Sequence, residues 1–289
     1  METVNDDYPI KSKKQKQLSD LELKAIAIAK HESNETETTE KSKFPTEIIQ
    51  LPSNGKYYPK DHPLKNGTVE MKYMTAREED ILTNQSYIRQ GIVLDKLFQS
   101  LLITKFNYND LLLGDKNAIM IAARILGYGK EYEFSATTPA GNDQTITVEL
   151  TDLKDKDIDW DVIADSDNTF TVTLPASKRS VVVRLMTHGT QKKIDTETKA
   201  LAKLKKDATV TTMLKHVIVS IDGDEDSKSI RHFVDNELFA IDARYIRKEL
   251  EKVTPDINMT IDAVAEEDGD TFQCSVSIGL DFFWPDTKL

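Results

Sequence analysis

The chain contains 289 residues, with 38 Lys and Arg against 49 Asp and Glu for a formal charge of −11, and a single cysteine, Cys274. This length is enough for one large domain or two small ones, the negative charge disfavours nonspecific binding to nucleic acid or anionic membranes, and one cysteine excludes an intrachain disulfide framework. The first residues lack a signal-peptide pattern and no apolar run approaches the roughly 20 residues of a membrane span, so the sequence predicts a soluble intracellular protein.

Residues 1–43 differ in composition from the rest of the chain. They are polar, mixed in charge and poor in aromatic residues, so they cannot bury enough apolar surface to offset the entropy of ordering. Apolar residues nevertheless recur at helical spacing between Ser19 and Lys30, which predicts one short amphipathic helix. We expect a flexible N-terminal arm whose helix orders against a partner. An inert tail with a transient helix is the alternative.

The segment Leu51–Pro59 predicts a tight, docked surface loop. Two prolines fix φ, an Asn-Gly pair suits a turn with positive φ, and Tyr57 and Tyr58 offer flat apolar faces with polar tips. A strand over residues 69–73 follows, and Thr75 with Glu78 forms a capping box that starts a helix. Three further elements are predicted downstream: a helix from about residue 91, a helix with Asp115 as its N-cap that ends at Gly127, and a hairpin over residues 132–150.

The second half of the chain repeats this order. Leu174-Pro175 corresponds to Leu51-Pro52, and Asp235 aligns without gaps on Asp115 as the start of a helix that runs to about Val253. The remaining predictions are a helix over residues 190–206, an apolar helix over 209–221 and a hairpin that turns at Asp268-Gly269. We therefore predict an α+β fold built by tandem duplication of a strand–helices–β-hairpin unit, with halves at residues 44–165 and 166–289. Strands and helices that merely alternate are the alternative.

Two acidic stretches match cation sites only in part. Asp222–Asp226 places carboxylates at alternate positions, but Ser227 and Phe233 stand where a calcium loop requires Gly and Glu, so an exposed acidic turn is favoured. The alternating Asp residues from 155 to 161 likewise favour a solvated charged segment over a metal site. The histidines and Cys274 lack neighbours at ligand spacing, and no nucleophile elbow, phosphate-binding loop or metallohydrolase motif is present. We expect no enzyme activity and no cofactor.

The last residues of the chain are rich in aromatic side chains, with Phe282, Phe283 and Trp284 in succession. So much aromatic surface must either close the core or dock on a partner. For a monomer, closure of the core is favoured, because a free aromatic tail would aggregate.

Taken in order, four sets of residues resemble one known family. They are Leu51-Pro-Ser-Asn-Gly55 with Tyr58-Pro59, Met74-Thr75 with Glu78-Glu79, Asp115 with Ala123-Arg124 and Tyr128-Gly129, and the closing Phe282-Phe-Trp-Pro285. Together they resemble the T4-type bacteriophage baseplate protein family, whose members are involved with the central hub of a contractile tail. The resemblance covers about residues 48–285 and leaves the N-terminal arm outside.

The resemblance implies a structural component of a contractile-tail baseplate hub, assembled in the host cytoplasm and located in the virion. Such a protein acts through contacts with other baseplate and tail proteins, in several copies per assembly, and has neither nucleic acid nor membrane as its partner. The side chains expected to contact partners are Tyr57, Tyr58, Phe282, Phe283 and Trp284. An assembly chaperone absent from the mature virion is the main alternative, and a host-encoded interaction module or an enzyme with an unrecognised site are two others.

Relatives in this family carry pairs of cysteines in the hairpins that suit a zinc knuckle. Here the second hairpin offers only Cys274, and one thiolate cannot hold a structural zinc ion that requires four ligands. We therefore expect no bound zinc and expect the hairpins to be held by strand pairing and packing.

Overall fold

Two series of strands, helices and a terminal β-hairpin follow one another along this chain, and the second has an additional strand among its helices. The structure, a computed structural model, describes residues 45–160, 168–278 and 280–283, and these residues form a mixed α+β fold. The predicted N-terminal arm and Trp284 lie outside the described residues.

The first series of elements contains two antiparallel strand pairs with helices between them. In the first pair Ile49 lies opposite Val69, and in the second Phe134 lies opposite Ile146. The elements are β1 (Thr46–Gln50), β2 (Thr68–Lys72), α1 (Ala76–Leu82), α2 (Gln85–Gln90), α3 (Val93–Leu101), α4 (Leu113–Tyr128), β3 (Glu131–Thr137) and β4 (Asp143–Glu149).

The second series begins with a three-stranded antiparallel sheet and ends with a hairpin. The sheet order is β5-β6-β7, with a register shift between Val182 and Val183, and the hairpin is formed by β8 and β9. The elements are β5 (Thr169–Thr173), β6 (Ser180–Arg184), α5 (His188–Lys203), α6 (Thr209–Val217), β7 (Ile218–Ile221), α7 (Ser227–Asn236), α8 (Ala240–Val253), β8 (Thr260–Val264) and β9 (Thr271–Ser275).

Local signals account for several of these boundaries. The Glu78 carboxylate accepts the backbone N–H of Thr75 at 3.0 Å, which confirms the predicted capping box at the start of α1. Gly91 has φ of +68° and ends α2 as a left-handed cap, a conformation that favours glycine. The predicted hairpins also form, and the second turns at Gly269 with φ of +77°.

Three predicted boundaries are wrong. Helix α4 begins at Leu113, so Asp115 is its third residue and not its N-cap. Asp235 lies near the end of α7, because a break after Asn236 divides the helix predicted from residue 235 to Val253. The apolar stretch over residues 209–221 is a helix only to Val217, after which a run rich in β-branched residues pairs with β6 as a strand.

The described residues from Pro45 onward belong to one compact unit with two hydrophobic clusters. The larger cluster joins the first series to the end of the chain, since Phe283 packs against Phe98 with ring centroids 6.3 Å apart and Phe282 meets Tyr132 edge-on at 4.8 Å. The smaller cluster lies within the second series, and its fully buried members are Leu174, Val181, Val183, Leu214, Val217, Phe233 and Ile246. The C-terminal phenylalanines thus close a core that both series share.

Candidate functional site

The loop that joins β1 to β2 is closed by its own backbone. The N–H of Leu51 donates to the carbonyl of Gly67 at 2.8 Å, so the loop begins and ends at adjacent points. Gly55 has φ of +71°, and a Cβ atom there would lie 2.1 Å from the carbonyl oxygen of Lys65. Only glycine fits this crossing, which agrees with the docked turn predicted for Leu51–Pro59.

A buried hydrogen-bond network attaches this loop to the start of α4. The Asp115 carboxylate accepts the backbone N–H of Ser53 at 3.0 Å, the Ser53 hydroxyl at 2.7 Å and the Tyr58 hydroxyl at 2.7 Å. Tyr58 in turn accepts the N–H of Leu112 at 3.0 Å. Burial raises the pKa of Asp115, and the hydrogen bonds from Tyr58 and Ser53 act in the opposite direction. The network satisfies a fully buried carboxyl group without any cation.

The second series contains a closely similar arrangement around Asp242. This carboxylate is also fully buried, and it accepts the N–H groups of Ala176 at 2.8 Å and Ser177 at 3.0 Å, directly after Leu174-Pro175. Burial alone would raise the pKa of Asp242, but the two backbone donors outweigh it and the pKa is lowered. Asp242 is the third residue of α8, as Asp115 is of α4. Asp242, and not Asp235, is therefore the residue whose helix position and contacts match those of Asp115.

The side chains predicted to contact partners lie inside the fold. Tyr57 and Tyr58 are each 3% exposed, and Phe282 and Phe283 are fully buried. The Tyr57 hydroxyl donates to the carbonyl of Val253 at 2.5 Å. Core packing, rather than direct contact with a partner, is the role that this burial supports for these four residues.

A polar cluster joins α3, α4 and the start of α5. His188 lies 3.2 Å from the Asp95 carboxylate through Nε2 and 3.2 Å from the Lys116 ammonium through Nδ1, and its ring packs on Tyr108. The two ring nitrogens thus bridge a carboxylate and an ammonium group. Burial would raise the pKa of Asp95, but His188 and Lys116 together lower it. The cluster ties the two series together.

The two predicted acidic stretches have structural partners. Asp222 pairs with Arg179 at 2.7 Å, and Asp226 is the N-cap of α7 and accepts from the N–H of Ser229. Asp222–Asp226 is exposed, which confirms the predicted acidic turn. The stretch from residue 154 to 159 pairs through its backbone with the end of α8 and the residues that follow it, as in the 2.7 Å bond from Lys156 N–H to the Asp256 carbonyl. Asp161, the last of the predicted series, lies outside the described residues. Among the described residues, no group of three or more His, Cys, Asp or Glu side chains could hold a metal ion.

The junction between the two series is a short antiparallel bridge. Leu112 lies opposite Thr187, the N–H of His188 donates to the Leu111 carbonyl at 2.7 Å, and the N–H of Leu113 donates to the Met186 carbonyl at 3.2 Å. These bonds cover the start of α4, where Leu112 is only 2% exposed.

The start of α8 has the same backbone geometry, but no described residue pairs with it in this way. The N-cap residues Leu112 and Phe239 have φ/ψ of −63°/147° and −66°/146°, respectively. Yet Phe239 is 56% exposed and Ile241 is 60% exposed. Large apolar side chains adjacent to uncovered backbone are typical of an interaction surface. We define residues Leu238–Ile241 as the α8 surface and take it as the candidate functional site. No sequence pattern marks these residues as a contact surface.

Comparisons with protein-family models, with curated proteins and with solved structures gave no match. Over the parts of the chain that the structure describes, no helix combines the length and the apolar character that crossing a membrane requires.

Proposed function

We propose that this protein is a non-enzymatic structural component of a phage contractile-tail baseplate hub that acts through contacts with other tail proteins. The α8 surface is the observation that carries the proposal, because it exposes Phe239 and Ile241 on a helix anchored by the buried carboxylate of Asp242. A rigid support of this kind orders an interface before binding and so reduces the entropic cost of assembly. The formal charge of −11 favours solubility before assembly.

We further propose that the chain arose by tandem duplication of one α+β unit. The two buried carboxylates that accept N–H groups after a Leu-Pro pair support this origin. Two further pairs of features also support it. Met71 bridges Leu102 just after α3, and Val183 likewise pairs with Ile218 just after α6. The fully buried Ile119 lies four residues after Asp115, and the fully buried Ile246 lies four residues after Asp242.

The residues that resemble the baseplate family converge on the core of this unit. Ser53, Tyr58 and Asp115 form one buried network, while the Arg124 guanidinium donates to the carbonyls of Gly129 at 3.1 Å and Glu131 at 3.3 Å. These contacts explain why such residues occur together: each stabilises the same unit. They support a shared fold with that family, and the family role follows as part of the proposal.

Mass spectrometry of purified virions of the parent phage is the direct test. We expect peptides of this chain in mature particles at a fixed ratio to other baseplate proteins. Peptides found in assembly intermediates but absent from mature virions would instead favour the alternative, an assembly chaperone. Absence from both would reject the proposal.

A complementation assay examines the surface itself. We expect Phe239→Ser with Ile241→Ser to fail to restore tail assembly, while Leu204→Ser, which changes a side chain that is 69% exposed elsewhere, restores it. Deletion of residues 1–43 should also reduce incorporation if the arm orders on a neighbouring protein. Equal incorporation of the deleted and complete chains would contradict the role expected of the arm.

A further inference from the structure

The intrachain junction indicates what kind of surface covers the start of such a helix. The cover is the turn between β6 and α5, where Met186 supplies a carbonyl, Thr187 is the N-cap of α5 and His188 supplies an N–H. These groups meet the carbonyl of Leu111 and the N–H of Leu113. Two chain segments thus exchange two backbone hydrogen bonds at a helix start.

The same pair of backbone groups is available at the α8 surface. When α8 and α4 are matched at their third residues, Asp242 and Asp115, Leu238 takes the position of Leu111 and Ala240 takes that of Leu113. These positions lie four and two residues before the Asp. Within the described residues, the Leu238 carbonyl and the Ala240 N–H have no hydrogen-bond partner. The apolar side chains beside them are exposed to solvent.

A matching cover is present in the first series, at the turn between β2 and α1. Thr75 is the N-cap of α1 as Thr187 is of α5, and it follows β2 at the same distance that separates Thr187 from β6. Within the described part of the chain, the Met74 carbonyl and the Ala76 N–H also have no hydrogen-bond partner. We define residues Met74–Ala76 as the α1 surface. Both halves of a second junction are therefore present, and neither is paired by any residue that the structure describes.

We propose that the α8 surface of one copy docks on the α1 surface of a second copy, repeating between chains the junction that joins the two series within a chain. This inference rests on the proposed duplication, and it names the partner of the surface invoked in the proposed function. Leu238 would accept the N–H of Ala76, and Ala240 would donate to the carbonyl of Met74. Because the two surfaces differ, the contact is heterologous, and it closes into a ring or extends as a chain of copies.

One difference between the junctions concerns the residue after the bridge. Gly114 allows the backbone at Pro255 to approach α4, since a Cβ atom there would lie 1.8 Å from the Pro255 oxygen. The second series has the exposed Ile241 at that position. Gly114 thus accommodates the segment after α8 rather than the bridge itself, whereas Ile241 would add apolar contact to the junction between copies.

The test uses the complete chain and two proline variants. Ala76→Pro and Ala240→Pro each replace the first residue of a helix, where proline is tolerated, and both follow a residue in extended conformation. Each removes one N–H that the proposed junction needs. By sedimentation velocity, we expect the wild-type mass to rise with concentration and each proline variant to associate about tenfold more weakly, as expected for one lost hydrogen bond.

Side-chain variants provide the matched comparison. Phe239→Ser with Ile241→Ser should abolish association, whereas Leu204→Ser and Val264→Ser, at exposed positions away from both surfaces, should leave it unchanged. Circular dichroism melting shows whether each variant is folded. A wild-type chain that stays monomeric up to about 0.5 mM, or proline variants that are folded and associate as wild type does, would overturn the proposal.

A mixing experiment tests the heterologous arrangement. Ala76→Pro retains an intact α8 surface, and the Phe239/Ile241 double variant retains an intact α1 surface. Mixed in equal amounts, they should form mainly dimers at a concentration at which each alone is mostly monomeric. Failure to form dimers in the mixture would also overturn the proposal. Presence in virions is measured separately, so a monomeric chain found in virions would refute this inference and leave the proposed function standing.

Discussion

Asp115 and Asp242 occupy the same position in two successive parts of the chain. Each is the third residue of a helix, each is fully buried, and each accepts the N–H of the residue that follows a Leu-Pro pair, Ser53 in one case and Ala176 in the other. Their environments differ in the remaining donors. Asp115 receives two hydroxyl groups, whereas Asp242 receives a second backbone N–H.

This difference predicts unequal effects of replacing each carboxylate by an amide. In Asp115→Asn the new NH₂ group can donate to the hydroxyls of Ser53 and Tyr58, since a hydroxyl can accept as well as donate. In Asp242→Asn the NH₂ group faces a backbone N–H that cannot accept. We expect a loss of unfolding free energy of at most about 1 kcal/mol for Asp115→Asn and about 2 kcal/mol for Asp242→Asn, measured by urea denaturation at pH 7.

The pH dependence should differ in sign as well. The lowered pKa of Asp242 contributes stability that is present above the ordinary Asp pKa and is lost as the pH falls below it. The raised pKa of Asp115 has the opposite effect, because the folded state holds its proton more tightly than the unfolded state does. Equal losses for the two variants, with the same dependence on pH, would contradict the roles assigned to the two networks.

The similar positions of Asp115 and Asp242 could not be predicted from the sequence, and the reason is physical. The alignment of Asp115 with Asp235 shifts the match by seven residues from the one at Asp242. Seven residues make two helical turns, so the slipped alignment keeps the same helix face and the same apolar pattern. The hydrogen bonds that make Asp115 and Asp242 alike join each carboxylate to a residue 62 or 66 positions earlier in the chain. Contacts so distant in sequence leave no local pattern.

Local features were predictable because their causes lie within a few residues. The Thr75 capping box, the two hairpins and the acidic turn before α7 each depend on neighbouring side chains. The candidate site was not predictable in this way. From its residue type, Phe239 would ordinarily be assigned to the core. Its exposure depends instead on how the rest of the chain packs, which no local pattern reveals.

The hydroxyl groups of Tyr57 and Tyr58 should affect stability rather than assembly. Tyr58→Phe leaves the N–H of Leu112 and one oxygen of Asp115 without their shared partner, and we expect it to cost about 2–3 kcal/mol. Tyr57→Phe loses one bond to the Val253 carbonyl and should cost about 1 kcal/mol. Thermal unfolding followed by circular dichroism measures both. Variants with unchanged stability and impaired tail assembly would restore the prediction that these tyrosines contact partners.

Glu78 predicts a further loss of stability in acid. Burial would raise its pKa, but hydrogen bonds from Lys72, Thr75 and Ser100 outweigh burial and lower the pKa to about 2 from the ordinary value of 4.5. Such a group contributes stability above pH 4.5 that is lost as the pH falls toward 2, and the full shift corresponds to about 3 kcal/mol. In urea denaturation from pH 6 to pH 2.5, the gap between wild type and Glu78→Gln should narrow with acid. The adjacent, exposed Glu79→Gln is the control, and a constant gap for Glu78→Gln would exclude the network as its cause.

Gly114 should be highly sensitive to an added methyl group because it lies against the segment that follows α8. A Cβ atom there would lie 1.8 Å from the Pro255 oxygen, which belongs to the backbone and cannot rotate away as a side chain could. We expect Gly114→Ala to lower the unfolding free energy by about 3 kcal/mol, because α4 and the segment after α8 must separate to admit it. Ile241→Ala, at the matching position of α8, should change stability by less than about 0.5 kcal/mol, since that side chain is exposed. Guanidinium titrations of the two variants measure this contrast directly. If Gly114→Ala proved as mild as Ile241→Ala, the two series would not be held in the close contact described.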